Sequence, residues 1–282
     1  MTQTEKIRIE IQTLKKLPTL SHSALKILNL TEDDSTHLDE LVKIIENDPP
    51  ILAKILRVVN IIYLGYGYKI TTVKDALFKI GFNTLRNIAF GISIFSLFKS
   101  FGQKEGTYKK LFKHSIATGV ISKFISENVL DYQDDTAFTC GMLHDIGLFA
   151  LHYLNYKAYV KIENLVLQGK TISEAENEVI DLDHSIIGKW LSEWWGLPEE
   201  IGEVILYHHE NPATLDNKYR KSIALIHLSN FLAERLGFGV FDGFQESMFY
   251  EYGIYSIFTL PEINELINYI KSNLPFEEIN II

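Results

Sequence analysis

The sequence predicts an all-α protein, and three observations carry that expectation. Apolar residues recur at helical spacing, as in Leu38, Leu41, Val42 and Ile45, which fall at i, i+3, i+4 and i+7. No strand-like alternation persists through the first hundred residues. Only seven prolines occur in 282 residues, which favours long uninterrupted helices.

Taken in order, residues 1–16 are charged with spaced isoleucines (Ile7, Ile9, Ile11) and form a short helix or arm. Leu17-Pro18-Thr19-Leu20 breaks it, and a helix over 21–30 follows. After a polar turn, Thr36 is placed to cap a helix with Asp39 and Glu40 in its first turn. Asp48-Pro49-Pro50 stops that helix, and another runs to Ile62. Thr71 or Thr72 caps the next, Gly81 ends it, and 83–99 forms one more. Gly102 to Gly106 is the best boundary between two helical halves. Beyond it come a helix over 107–128, one capped by Asp134 or Asp135 and loosened by Gly147, one over 152–167, and one capped by Asp183. Trp194 and Trp195 sit in the following turn and are expected to cap the core. A helix then starts at Glu199, and a last long one covers 216–236. The aromatic tail, with Phe241, Phe244, Phe249, Tyr250, Tyr252 and Tyr255, either covers the body or makes a homodimer contact; self-packing is favoured.

Apolar residues make up 46 % of the chain and charged ones 22 %, an ordinary globular balance. The net charge of -9, with Lys and Arg scattered, disfavours a nucleic-acid surface. One cysteine, Cys140, permits no intrachain disulfide and reads as a buried small residue. The N-terminal residues carry no signal-peptide apolar segment, and the longest apolar run, 88–98, is too short to span a bilayer. A cytoplasmic location is expected.

Chemistry concentrates in the histidines. His114, His144, His184 and His208 lie on apolar faces of four separate helices. His144 is followed by Asp145, and His208 by His209. Adjacent helical positions point about 100° apart, so each pair can bracket a metal beside its helix. Imidazole offers a neutral nitrogen, and a carboxylate offers two oxygens that can bridge two cations. Singly, each histidine reads as a core residue with bonded ring nitrogens. Four from four helices point instead to one pocket.

The order His114, His144-Asp145-Ile146-Gly147, His184, His208-His209 resembles the HD superfamily of metal-dependent phosphohydrolases. The closer resemblance is to the HDOD domain. It runs from Leu17 to about Leu236 on Leu17-Pro-Thr-Leu-Ser-His-Ser-Ala-Leu25, Ile45-Glu-Asn-Asp-Pro49, Leu56-Arg-Val-Val-Asn60, Ala76-Leu-Phe-Lys-Ile-Gly-Phe-Asn-Thr-Leu-Arg86, Gly141-Met-Leu-His-Asp-Ile-Gly147, Asp183-His-Ser-Ile-Ile-Gly188, Trp195-Gly-Leu-Pro198 and Tyr207-His-His209. The resemblance implies an N-terminal helical subdomain (1–101) packed on an HD-like helical bundle (102–236), with a short C-terminal helical tail (237–282). It implies a bacterial signalling or regulatory module with a metal set of His114, His144, Asp145, His184, His208 and His209. One divalent cation, of iron, manganese, zinc or magnesium, is the cofactor expected.

The sequence departs from active relatives in three places. A late helix there brings another aspartate to the metal, whereas the matching segment, Ile226-His-Leu-Ser-Asn-Phe-Leu-Ala233, holds Asn230. That leaves Asp145 the only carboxylate of the set. Active relatives of the HD-GYP kind also usually carry Lys after the His-Asp-x-Gly motif, where this chain has Leu148, and their Gly-Tyr-Pro signature is absent. Three readings stay open: a non-catalytic module acting through a signalling protein partner or a ligand, in which the histidines are structural or hold one metal; a phosphohydrolase or phosphodiesterase of nucleotides or cyclic dinucleotides with Asp145 in the catalytic role; and a sensor that binds a metal or nucleotide and changes its affinity for a partner. The first is preferred.

Overall fold

The computed structural model describes residues 5, 9, 19–31, 35–63, 69–99, 105–130, 134–241 and 259–279, and every regular element among them is helical. Helix α1 (His22–Asn29) starts at Ser21, whose hydroxyl accepts the Ala24 N–H at 3.1 Å. Helix α2 (Ser35–Glu46) begins ahead of Thr36, which is therefore inside the first turn and is not the cap. The Asp48-Pro49-Pro50 stop also opens α3 (Pro49–Ile62). Asp48 accepts the Ile51 N–H at 3.1 Å, and Pro49 takes a first-turn position where a missing N–H costs nothing. Helix α4 (Val73–Lys99) is broken at Gly81, whose φ of 75° and ψ of 169° suit glycine alone, and resumes at once.

Helix α5 (Glu105–Asn128) contains Gly106, so the expected break ends before Glu105. Then come α6 (Ala137–Leu143), α7 (Ile146–Leu154) and α8 (Tyr156–Leu167). The single helix expected over 152–167 is divided at Asn155, whose side chain accepts the Ala158 N–H at 3.1 Å and starts α8. Helix α9 (Ile172–Ile180) opens with a reciprocal Thr171–Glu174 capping box. Helices α10 (His184–Trp194), α11 (Glu199–Tyr207) and α12 (Arg220–Ala233) follow. The last begins at Arg220, later than the expected 216, and runs into a π-helical turn, Glu234–Phe238. Helices α13 (Leu260–Asn273) and α14 (Phe276–Ile279) close the chain.

One apolar core runs from Leu20 to Ile279. Helices α1, α2 and α3 pack on α4, while α6 touches α4, α5, α11 and α12. Every residue of α6 is buried, because all its sides meet other helices. Trp195 and Cys140 are buried as expected, and Trp194 packs partly buried against the core. Phe241 stacks at 5.9 Å on Tyr159, whereas Phe244, Phe249, Tyr250, Tyr252 and Tyr255 lie outside the described residues. Among the described residues no helix is long and apolar enough to cross a membrane.

Candidate metal centre

The six candidate ligands meet at one place. His144 and Asp145 form the turn between α6 and α7 rather than a stretch of continuous helix. His208 occupies the same kind of position, just after the last turn of α11. The last carbonyls of a helix have no partner within it. Each histidine uses one: His144 Nδ1–H donates to the Gly141 carbonyl at 2.7 Å, and His208 Nδ1–H to the Ile205 carbonyl at 2.8 Å. Helix ends thus fix both rings with Nε2 facing inward. His114 on α5 donates Nδ1–H to the Phe238 carbonyl at 2.8 Å. His184 opens α10 and donates Nδ1–H to Glu176 on α9, at 2.9 and 3.0 Å from its two oxygens.

With each Nδ1 donating, each Nε2 presents a lone pair, and these lone pairs surround Asp145. His114 and His144 Nε2 stand 3.2 Å apart, each 3.3 Å from Asp145 Oδ2. On the other side His184 and His208 Nε2 stand 3.4 Å apart, 3.4 and 3.3 Å from Asp145 Oδ1. His209 Nε2 closes this second group at 3.1 Å from His184 Nε2. A cation bonded to nitrogen and oxygen at ~2.0–2.2 Å spaces its ligands by ~3.0–3.5 Å. Both triangles have that size, and they share one carboxylate. Lone pairs facing lone pairs repel unless a proton or a cation lies between them, so the donor set fits a divalent metal on each side of Asp145.

The electrostatics divide the rings into two kinds: His144 and His209 are held neutral, while His114 and His184 carry a proton more readily. Burial opposes charge on Asp145, yet the neighbouring imidazoles, His144 foremost, hold its carboxyl well below the usual range. Burial lowers the His144 pKa to about 4, with His208 and His114 adding to the effect. Burial, then His208 and His184, keep His209 well below the ordinary imidazole value. For His184 burial works against protonation, but Glu176 and Asp183 outweigh it and raise the pKa well above that value. His114 is also raised, burial being outweighed by its bond to Asp145.

Gly147 lets two helices close. A Cβ on Gly147 would collide with the His184 carbonyl oxygen and lie 2.8 Å from the Gly188 nitrogen. Gly147 therefore allows α7 to touch α10; it does not loosen a helix, since the break falls at the His144-Asp145 turn. Asn230 is buried on α12, and its Oδ1 has no hydrogen-bond partner among the described residues. Leu148 is buried in the apolar core.

Sequence reasoning missed Glu176, which is fully buried and bonded to His184 through both backbone and ring. A signal was present: Ile172, Ala175, Glu176 and Ile180 share one helical face, and a carboxylate among apolar positions calls for a partner. The Phe238 carbonyl and the helix-end carbonyls carried no such signal.

The HDOD domain model matches residues 17–211, most of the chain. The chain belongs to the HDOD family. Solved structures agree on the fold. An HDOD domain protein of unknown function from Geobacter sulfurreducens superposes with a TM-score of 0.74 at 23 % identity, covering 99 % of this chain and 92 % of that one. A protein from Shewanella amazonensis SB2B provisionally named a phosphohydrolase gives 0.71 at 18 %, covering 98 % and 96 %. One from Marinobacter aquaeolei VT8 provisionally named a signal transduction protein gives 0.64 at 19 %, covering all of this HDOD chain and 60 % of that one. An uncharacterized protein of Treponema pallidum (strain Nichols) is 22 % identical over 232 residues, 81 % of this chain; the HDOD chain spans 44 % of that relative's length.

Proposed function

We propose that this HDOD protein is a signalling or regulatory module that works by binding a protein partner, and that its buried cluster holds divalent metal without efficient turnover. The observation that carries the reading is the pair of donor triangles sharing Asp145, paired with Asn230 and Leu148 where active relatives place an acid and a cation. The ring orientations support metal: four imidazoles are held with Nε2 inward by carbonyls or by a carboxylate, the arrangement that tunes metal-ligating histidine. Leu148 supports the lack of turnover, because an apolar side chain in the core cannot neutralise a phosphate oxyanion. The division at 101/102 and 236/237 belongs to the same proposal.

A second reading, a metal-dependent phosphohydrolase, is favoured by the same bridging carboxylate. Paired divalent cations would supply Lewis-acid polarisation of a phosphoryl oxygen. In that reading Asp145 orients the reacting group and the histidines only hold the metals. Metal analysis of protein purified without chelator tests the first reading, alongside turnover of cyclic dinucleotides, nucleotides and phosphomonoesters with Mn or Fe supplied. Metal bound without turnover supports it. Turnover lost in His144→Ala replaces it with the second reading, and protein that takes up no metal removes both.

A further inference from the structure

The two sides of Asp145 are not equivalent. One side offers His114, His144 and Asp145 Oδ2. The other offers His184, His208, His209 and Asp145 Oδ1, four donors, the number that a closed zinc-type site would take. The groups behind the rings differ as well. His114 and His144 donate Nδ1–H to neutral backbone carbonyls. His184 donates to a carboxylate, Glu176, which has no measurable exposure.

Among the described residues Glu176 has no other hydrogen-bond partner. Its Oε2 accepts the His184 backbone N–H at 3.0 Å and Nδ1–H at 2.9 Å, and Oε1 accepts Nδ1–H at 3.0 Å. Asp183, 3.8 Å from the same ring nitrogen, is engaged as the cap of α10 through the Ser185 N–H and hydroxyl. An ionised carboxylate sealed from water needs a positive charge beside it, which either a proton or a cation on His184 Nε2 would supply. Glu234 is not the counterpart on the first side. Its carboxylate lies against Gly239, and the His114 Nδ1–H goes to the Phe238 carbonyl instead.

We propose that Glu176 is a positioning residue that makes the His184–His208–His209 side of the cluster the tight divalent-metal site, leaving the His114–His144 side weaker. The proposal rests on reading the cluster as a metal centre. A carboxylate on Nδ1 raises the electron density at Nε2 and balances part of the cation charge through the ring. The acidity lacking at Asn230 thus lies one shell out, and on one side only.

The test is titration of the chelator-treated full chain with Co²⁺ or Zn²⁺ against a chromophoric chelator. Two affinity classes are expected. Glu176→Gln keeps the shape and removes the charge; it should weaken the tight class about 10–100-fold and spare the weak one. His184→Ala should abolish the tight class, and His144→Ala the weak class. A variant-free readout guards against misfolding. The first equivalent of Co²⁺ in the wild-type protein should shift three exchangeable imidazole N–H protons in the NMR spectrum, from His184, His208 and His209. Two shifted protons would place that metal with His114 and His144 and overturn the assignment. Metal binding unchanged in a folded Glu176→Gln protein overturns the role of Glu176 and leaves the metal centre standing. A wild-type chain that binds neither ion ends both.

Discussion

Gly147→Ala is the sharpest test of how the helices bring the centre together. The new methyl would have to sit where the His184 carbonyl oxygen is, with the His184 carbonyl carbon and the Gly188 nitrogen each 2.8 Å away. All three obstacles are backbone, so no side chain can rotate aside. Overpacking of this kind costs about 1–3 kcal/mol, and rigid obstacles put it at the upper end. Removing a glycine from a helix returns about 0.5–1 kcal/mol. A net loss of about 2 kcal/mol follows, which for a chain of this size lowers Tm by about 4–8 °C. Relief requires α7 and α10 to separate, which carries His184 away from Asp145, now 3.4 Å from it. The variant should therefore lose metal affinity along with stability. The assay is thermal melting of chelator-treated and metal-saturated protein, with Gly106→Ala as the control. A Cβ on Gly106 meets nothing within 4 Å, so that change should stabilise by about 0.5–1 kcal/mol. A Gly147→Ala protein as stable as the parent would refute the packing argument.

Asn230→Asp should raise metal occupancy measured by elemental analysis, since it adds a buried carboxylate where Asn230 Oδ1 has no partner among the described residues; unchanged occupancy counts against Asn230 as a lost ligand. Leu148→Lys should destabilise by several kcal/mol without producing phosphatase turnover, because it buries an unpaired cation; urea melts and a turnover assay check both halves. Metal-free protein should be most stable near the ordinary imidazole pKa of about 6.5. His144 and His209, lowered by burial, lose their contribution as pH falls from there, on the order of 3 kcal/mol for His144 by pH about 4. His114 and His184, raised by their carboxylate partners, lose theirs as pH climbs through their folded-state values. Melts from pH 4 to 9 should trace this maximum, and a monotonic profile would contradict it. Metal binding should release protons, seen as a buffer-dependent heat, because His184 must give one up.

The helices were legible because burial writes a period into the sequence, and α2, α3 and α11 follow it closely. The ligands were legible because an imidazole on an apolar face is conspicuous. Their pairing was not. Nothing in the chain says that Asp145 turns one oxygen to His114 and His144 and the other to His184 and His208, since that depends on how α5, α6, α10 and α11 cross. The outer groups were less visible still. Backbone carbonyls have no sequence identity, and Gly147 reads equally well as a helix breaker or as a contact point. Glu176 was readable only by asking why a carboxylate shares a face with Ala175 and Ile180.

Adjacency of ligands in the chain has a physical basis that the structure makes plain. On an uninterrupted helix, neighbours diverge by about 100°, so two adjacent ligands can only bracket a centre that lies beside the helix. The chain resolves this by ending the helix. Helix α6 stops at Leu143 and α11 at Tyr207, and the next residue in each case is a histidine whose ring turns back onto a carbonyl three residues earlier. The residue after it, Asp145 or His209, enters the same centre. A single device, used twice, therefore supplies four of the six ligands and fixes two tautomers.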